Sequence, residues 1–237
     1  MTRMAENEHQ EGRLRARPGA GTGKVGPEPV GLRTLGHSAA RDGYLYVPGV
    51  YRPDLPRPLV VLLHGAGEDA RDGLALLRGQ ADEAGLMLLA LSSREYTWDM
   101  IALRGRFGPD VAAVDRALVE TFSRYAVDPS RVAVGGYSDG ASYALSLGIA
   151  NGNLFTHVLA FSPGFMALAG QVSSPQIFVS HGTRDGWLPI ESCSRRIVPR
   201  LEGAGYEVRY REFDGPHVVP PGIGREAAEW FTRDVLE

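Results

Sequence analysis

The segment Arg131-Val-Ala-Val-Gly-Gly-Tyr-Ser-Asp-Gly140, which runs on into Ala141-Ser-Tyr-Ala-Leu-Ser-Leu147, decides the fold. Its beginning predicts a short apolar strand, and its end predicts a helix of small residues. A glycine stands two residues before Ser138 and another two residues after it, because a turn this tight leaves no room for side chains at those places. In this context the G-x-S-x-G pattern predicts a nucleophile elbow, in which a strained backbone lifts the serine hydroxyl above a sheet.

Strand-like and helix-like segments alternate on both sides of this turn. Near-continuous apolar strands separated by amphipathic helices predict an α/β fold with a mostly parallel sheet covered on both faces. The first strands are candidates for antiparallel pairing, and the short connections leave little material for a lid. The predicted strands are Tyr44–Val47, Leu59–Leu63, Leu86–Leu91, Arg131–Gly135, His157–Phe161, Gln176–Ser180 and Glu207–Phe213, and the predicted helices are Arg71–Ala84, Pro109–Tyr125, Ala141–Ala150, Ile190–Ala204 and one around Trp230.

Length and composition favour one domain. The chain has 237 residues, 43% of them hydrophobic, which suffices for one α/β core. Residues 1–29 are rich in Gly, Arg, Glu and Pro and carry few large apolar side chains, so they cannot offset their ordering entropy by burial. We therefore predict a flexible tail over residues 1–29 and a single domain over residues 30–237.

The balance of charge and the cysteine content exclude several classes of protein. With 25 Lys and Arg against 28 Asp and Glu, the net charge of -3 offers no broad basic surface for nucleic acid. Cys193 is the only cysteine, which excludes internal disulfides and zinc sites built from paired thiolates. We interpret Cys193 as a buried or half-buried structural thiol.

Neither a signal peptide nor a membrane span is evident. The first ten residues lack the continuous apolar stretch of a leader, and no window approaches the roughly 20 apolar residues of a spanning helix. We therefore expect a cytoplasmic enzyme without a membrane span. The sequence carries no indication of its oligomeric state.

The serine needs a base and an acid, since a hydroxyl is a poor nucleophile at neutral pH. His217 lies in the loop Phe213-Asp-Gly-Pro-His217 after the last predicted strand, whereas His157 and His181 lie at the ends of apolar strands. Asp185 follows the Gln176–Ser180 strand through a glycine-containing turn, and we prefer it to Asp214 as the carboxylate that orients the histidine.

Two backbone N–H groups must hold the oxyanion of a tetrahedral intermediate. The first is expected from Asp139, directly after the serine. The second is expected from the loop His64-Gly-Ala-Gly67, with Ala66 as the first choice and Gly67 next. We expect the side chain of His64 to hydrogen-bond within its own loop instead of acting as a base.

These four blocks, His64-Gly-Ala-Gly, Gly136-Tyr-Ser-Asp-Gly140, His181-Gly-Thr-Arg-Asp185 and Gly215-Pro-His217, resemble those of small bacterial carboxylesterases and of acyl-protein-thioesterase or lysophospholipase-like enzymes of the α/β-hydrolase superfamily. The resemblance extends from about residue 42 to the C-terminus. It differs at Asp139, where the family usually has glutamine or another neutral residue.

The resemblance also implies a substrate pocket. It places the loop Arg94–Met100, with Trp98, beside the acyl or alcohol group, and adds Trp187 and Phe165 as candidates. Ordinary packing is an equally good interpretation of each of these aromatic residues.

The sequence therefore predicts a serine hydrolase that cleaves carboxylic esters with short to medium acyl chains through an acyl-enzyme, and that needs no metal or organic cofactor. Polyesters, feruloyl-type esters, thioesters and peptides are alternative substrates, since fold and triad do not decide between them. A binding protein that retains the hydrolase scaffold is the alternative from another class.

Overall fold

The computed structural model of the chain describes residues 10–19, 29–36, 41–167 and 170–233. Its centre is a sheet of eight strands in the order β1-β2-β4-β3-β5-β6-β7-β8. The strands are β1 (Gly31–Thr34), β2 (Tyr44–Val47), β3 (Arg57–Leu63), β4 (Met87–Leu91), β5 (Val127–Tyr137), β6 (His157–Phe161), β7 (Gln176–Gly182) and β8 (Val208–Phe213).

Strand direction follows the predicted pattern. The strands β1 and β2 pair antiparallel with each other, and β2 pairs antiparallel with β4. All pairs from β4 across to β8 are parallel. The carboxyl ends of β3, β5, β7 and β8 therefore meet at one edge, where the loops predicted to carry the chemistry begin.

Helices lie between the strands, as the alternation predicts. Two apolar clusters cover the two faces of the sheet, and β3 shows why: Leu59, Val61 and Leu63 contribute to one cluster, while Val60 and Leu62 contribute to the other. The helices are α1 (Ala70–Ala75), α2 (Asp99–Ala102), α3 (Pro109–Arg124), α4 (Asp139–Ala150), α5 (Ser194–Gly203) and α6 (Pro221–Thr232).

The predicted helix Arg71–Ala84 is wrong in its length. The helix α1 ends at Ala75, and a short 3-10 turn at Arg78–Gln80 follows it. A capping box between Asp69 and Asp72 starts the helix, but the glycines at 73 and 79 weaken its continuation.

The stretch 10–19 differs from the expected tail. Leu14 and Ala16 are each 3% exposed, in contact with the main apolar cluster. The N–H of Leu14 donates to Asn151 Oδ1 at 2.8 Å, and the N–H of Ala16 donates to Asp115 Oδ1 at 2.8 Å. Leu14 and Ala16 pack against the domain with these two hydrogen bonds beside them, which the low count of large apolar side chains in residues 1–29 did not predict. The rest of the predicted tail, residues 1–9 and 20–28, lies outside the described residues.

Cys193 is buried at the start of α5, as predicted for a structural thiol. Burial raises the pKa of its thiol, so the reactive thiolate is disfavoured.

Candidate active site

The predicted turn at Ser138 is present and strained. Ser138 has φ 56° and ψ -119°, a left-handed conformation that costs a side-chain-bearing residue about 1–3 kcal/mol. Its N–H donates to Phe161 O at 2.9 Å, which ties the turn to β6. A Cβ at Gly136 would lie 2.4 Å from Gly140 O, and one at Gly140 would lie 2.2 Å from Leu63 O. Only glycine fits at either position.

The structure brings Ser138, His217 and Asp185 together in one hydrogen-bonded chain. His217 Nε2 lies 2.9 Å from Ser138 Oγ, and His217 Nδ1 lies 2.5 Å from Asp185 Oδ2. Because an ionised carboxylate only accepts, Nδ1 carries the proton and Nε2 is free to accept one from the serine. This is the geometry that general-base activation of a serine requires.

Asp185 is held on both carboxylate oxygens. Its Oδ1 accepts from the N–H groups of Trp187 at 3.0 Å and Leu188 at 2.8 Å. Burial acts to raise the pKa of Asp185, but the hydrogen bonds from Leu188 and His217 outweigh it and hold the pKa below its ordinary value. The carboxylate is therefore ionised at neutral pH and can stabilise an imidazolium at His217.

A second histidine touches the same carboxylate. His181 Nε2 lies 2.8 Å from Leu188 O and 3.2 Å from Asp185 Oδ2, and His181 Nδ1 lies 2.7 Å from Ser194 Oγ. The carbonyl can only accept, so Nε2 carries the proton and Nδ1 accepts from the Ser194 hydroxyl. Burial lowers the pKa of His181, which keeps this ring neutral.

The loop that carries His217 is positioned by close backbone approach. A Cβ at Gly182 would lie 2.4 Å from both Gly215 O and Pro216 O, so the loop can pass over β7 only at a glycine. The hydroxyl of Tyr137 donates to His217 O at 2.7 Å, and the two rings lie 4.8 Å apart between centroids. Asp214, the alternative acid, instead forms an ion pair with Arg184 at 2.8 Å in solvent.

The loop after β3 orients one backbone N–H by fixing the plane of a peptide. His64 Nε2 accepts from Ser93 N–H at 2.9 Å, so His64 Nδ1 carries the proton and donates to Gly65 O at 2.6 Å. The described residues contain no cis peptide bond, and in a trans peptide the N–H points opposite to the C=O. The N–H of Ala66 is thereby directed away from the Nδ1 of the buried His64.

Gly67, the next choice for the oxyanion, is already engaged, because its N–H donates to Tyr96 O at 2.8 Å. Ala66 and Asp139 both line the cavity beside Ser138. The N–H of Asp139 belongs to the first residue of α4, where helix N–H groups have no partner within the helix. The two preferred donors therefore border the same space.

The carboxylate of Asp139 has a hydrogen-bond partner of its own. Its Oδ2 accepts from Thr97 Oγ1 at 2.6 Å, which ties the start of α4 to the loop before α2. The carboxylate that stands here, where the similar enzymes usually have a neutral residue, is thus bound by the Thr97 hydroxyl.

The cavity beside Ser138 has a volume of about 350 Å³. Of the three aromatic residues predicted singly, only Trp187 lines it, and it is 84% exposed; Tyr96 of the predicted Arg94–Met100 loop also lines it and is 71% exposed. Sequence reasoning missed Glu68, Tyr137 and Leu188, which also line it. Only Tyr137 had a sequence signal, because it lies directly before the nucleophile.

Trp98 and Phe165 do not line this cavity, contrary to the prediction. Trp98 is 1% exposed, its Nε1 donates to His64 O at 2.9 Å, and its ring packs between His64 and Tyr143. Phe165 is partly buried against the main apolar cluster. Both have the packing role that was the alternative interpretation, and Trp98 also anchors the loop after β3 through its hydrogen bond to His64 O.

Glu68 also holds the loop after β3, through a hydrogen bond to Gly65. Its Oε2 accepts from Gly65 N–H at 2.7 Å, and burial raises the pKa of its carboxyl. Both the N–H and the C=O of Gly65 are thus held by side chains, which leaves little freedom for the peptide that follows.

The described residues contain no group of three or more His, Cys, Asp or Glu side chains placed to hold a metal ion. Nor does any helix among them have the length and apolar character needed to cross a membrane.

No protein-family model and no curated protein matches this sequence, but solved structures do. The structure of the esterase PE8 is 25% identical with a TM-score of 0.66, covering 81% of this chain and 97% of that chain. A thermostable esterase is 25% identical with a TM-score of 0.67, covering 81% of this chain and 58% of that chain. A Bacillus cereus carboxylesterase, at 20% identity and a TM-score of 0.61, covers 82% of this chain and 95% of that chain and shows the fold alone.

The chain therefore has the α/β-hydrolase fold, with a mostly parallel eight-stranded sheet. Its structural resemblance is to serine esterases of that fold, and these neighbours support a hydrolase that acts on esters.

Proposed function

We propose that this protein is a serine carboxylic ester hydrolase that works through an acyl-enzyme. The observation that carries the proposal is the hydrogen-bonded chain from Asp185 through His217 to Ser138, which ends in an open cavity. A side chain in so strained a turn, joined to a base that is itself oriented by a carboxylate, has the arrangement that covalent catalysis requires.

In the first step Ser138 Oγ attacks the ester carbonyl while its proton passes to His217 Nε2. The oxyanion is held by the N–H groups of Ala66 and Asp139, and Asp185 stabilises the imidazolium. His217 then gives the proton to the leaving alkoxide, which departs as the alcohol. In the second step His217 takes a proton from water and the hydroxide attacks the acyl carbon. When this second tetrahedral intermediate collapses, His217 returns the proton to Ser138 Oγ, and the acid is released.

The cavity of about 350 Å³ suits short to medium acyl chains, because it lies near the lower end of the range for small-molecule sites. The reaction requires no metal or organic cofactor. Polyesters, feruloyl-type esters, thioesters and peptides remain alternative substrates for the same residues, and a panel of matched esters, thioesters and amides separates them.

Labelling with a fluorophosphonate tests the proposal directly. We expect the probe to modify Ser138, identified by peptide mass mapping, and the Ser138→Ala variant to lose at least about 1,000-fold in kcat on p-nitrophenyl acetate. Ser123→Ala, at an exposed position of α3, is the matched control. An unlabelled Ser138 in folded protein, together with no turnover on the panel, would favour the binding protein instead.

A further inference from the structure

A second cavity adjoins the catalytic one. It has a volume of about 520 Å³ and lies between the α1 region and the segment that follows His217. Glu68 and Tyr137 line both cavities, so these two side chains form a wall that the space beside Ser138 shares with the second cavity. The second cavity is not needed by any step of the proposed reaction.

The walls of this cavity are mainly apolar. Its lining includes Leu76, Gly79 and Gln80, which follow α1, and the segment from Val218 to Pro221, which follows His217. The charged residues that line it are Glu68 and Asp72, and neither lining includes lysine or arginine. An apolar group gains by leaving water here, whereas a negatively charged group would have no counter-charge among the lining residues.

The position of His217 decides which part of an ester faces this cavity. His217 Nε2 must reach the oxygen of the leaving group, because it delivers the proton to that oxygen. The next residues of the same loop, Val218 and Val219, form a wall of the cavity. The alcohol side of the ester is therefore the side nearest His217, and the second cavity is the one that the residues following His217 help to enclose.

We propose that the second cavity is the binding site for the alcohol moiety of the substrate, and that this moiety is an uncharged alkyl or aryl group. The proposal rests on the proposed esterase function. It makes the protein a hydrolase of neutral, apolar esters that discriminates against esters whose alcohol carries a carboxylate or a phosphate.

Two glycine substitutions form a matched test. A Cβ at Gly79 or at Gly203 meets no atom within 4 Å, and neither glycine has a positive φ. Gly79→Phe places a ring at the cavity, whereas Gly203→Phe places the same ring at the end of α5, away from both cavities. The measurement is kcat/KM for acetate esters of methanol through octanol, and for p-nitrophenyl esters of acetate through octanoate.

In the native protein we expect kcat/KM to rise by up to about fourfold per methylene of the alcohol until the cavity is full. Gly79→Phe should lower the ratio of octyl to methyl acetate by at least tenfold, and Gly203→Phe should leave that ratio as it is. A Gly79→Phe variant that retained the native ratio, or that affected the acyl series instead, would overturn the proposal.

A second test varies the charge of the alcohol and needs only the native protein. We expect butyl acetate to be hydrolysed at least tenfold faster than the acetate ester of 4-hydroxybutanoate, which carries a carboxylate at the end of a similar chain. Equal rates would contradict the charge discrimination. The two proposals can fail separately. If fluorophosphonate labels Ser138 and methyl acetate is turned over, but kcat/KM does not depend on the alcohol, only the assignment of the second cavity is overturned. If Ser138 is not labelled and no ester is turned over, the esterase function itself is overturned.

Discussion

Three histidines stand at or beyond the carboxyl ends of strands on the same edge of the sheet, and their surroundings differ. His64 and His181 are fully buried, and each has both ring nitrogens engaged by neighbouring groups. His217 lies in a loop beyond β8 with 12% of its side chain exposed, and its Nε2 faces Ser138. All three rings have both nitrogens engaged, but only the Nε2 of His217 has as its partner a hydroxyl that lines the cavity, which makes His217 the candidate base and the other two scaffold.

The largest effect is expected at His217. His217→Ala should lower kcat on p-nitrophenyl acetate by about 1,000-fold or more, because nothing then accepts the proton of Ser138. The free energy of unfolding in urea should fall by about 1–3 kcal/mol with the chain still folded, because the buried Asp185 Oδ2 loses its hydrogen bond from this ring. A variant that kept a tenth of the native kcat would show that His217 is scaffold, like the other two.

The next effect is expected at His64. His64→Phe retains a ring against Trp98 but leaves the N–H of Ser93 and the carbonyl of Gly65 without this partner. We expect a loss of about 2–4 kcal/mol in unfolding free energy and a kcat lower by about 10- to 100-fold, because the peptide of Ala66 is no longer fixed. Denaturant unfolding and steady-state kinetics measure the two losses.

His157→Phe is the matched control for His64→Phe. Its ring packs against Trp230 and Phe231 at the start of β6, at the opposite edge of the sheet from Ser138. A similar fall in kcat in both variants would mean that the effect at His64 is not specific to the loop after β3.

A smaller effect is expected at His181, which acts through Asp185. His181→Gln should lower kcat by about tenfold with KM little changed, because a loosened carboxylate orients His217 less well. A Ser194→Ala variant should show a loss in the same direction but smaller, since it removes only the partner of Nδ1. An unchanged kcat in His181→Gln would leave His181 a purely structural residue.

The smallest effect concerns pH. Burial lowers the pKa of both His64 and His181 from 6.5, so the unfolded chain binds more protons than the folded one below that pH. Their contribution to stability is present above pH 6.5 and is lost as pH falls towards their folded values. Asp99, whose pKa burial raises to about 6, acts in the opposite direction, because its stabilising contribution is lost as pH rises.

The native chain must therefore be compared with His181→Gln, which removes one titrating group and leaves Asp99 in place. We expect unfolding free energy, measured in urea from pH 7.5 to pH 5, to fall less in this variant than in the native chain. An equal fall in both would contradict the neutral, buried state assigned to His181.

Local patterns predicted much of the fold. Alternating apolar strands and amphipathic helices indicated a mostly parallel sheet, because each parallel crossover needs a helix and each buried strand needs apolar residues on both faces. The predicted length of α1 was wrong, since a periodic pattern does not reveal where capping and glycine shorten a helix. The packing of Leu14 and Ala16 was missed because burial of a short segment depends on what lies beneath it.

Some residues of the candidate site were likewise predicted from local patterns, and others were not. Ser138, Asp185 and His217 could be singled out because each follows a strand and two of them have glycine-containing turns of recognisable spacing. Trp98 and Phe165 were misplaced because an aromatic residue after a strand can point into the core or into a cavity, and only packing decides which. Glu68 went unnoticed, since a carboxylate three residues beyond Gly65 has no meaning until the loop folds back on itself.

By itself, then, the sequence determined the order of strands and helices, the elbow at Ser138 and the residue types available for acid, base and nucleophile, because these depend on local periodicity and on where glycine is required. Only the tertiary structure showed that His64 and His181 have both ring nitrogens held within the fold, that side chains hold the N–H and the C=O of Gly65, and that a second cavity lies beside the first. Most of these features arise from contacts between segments far apart in the chain, and no local pattern records them.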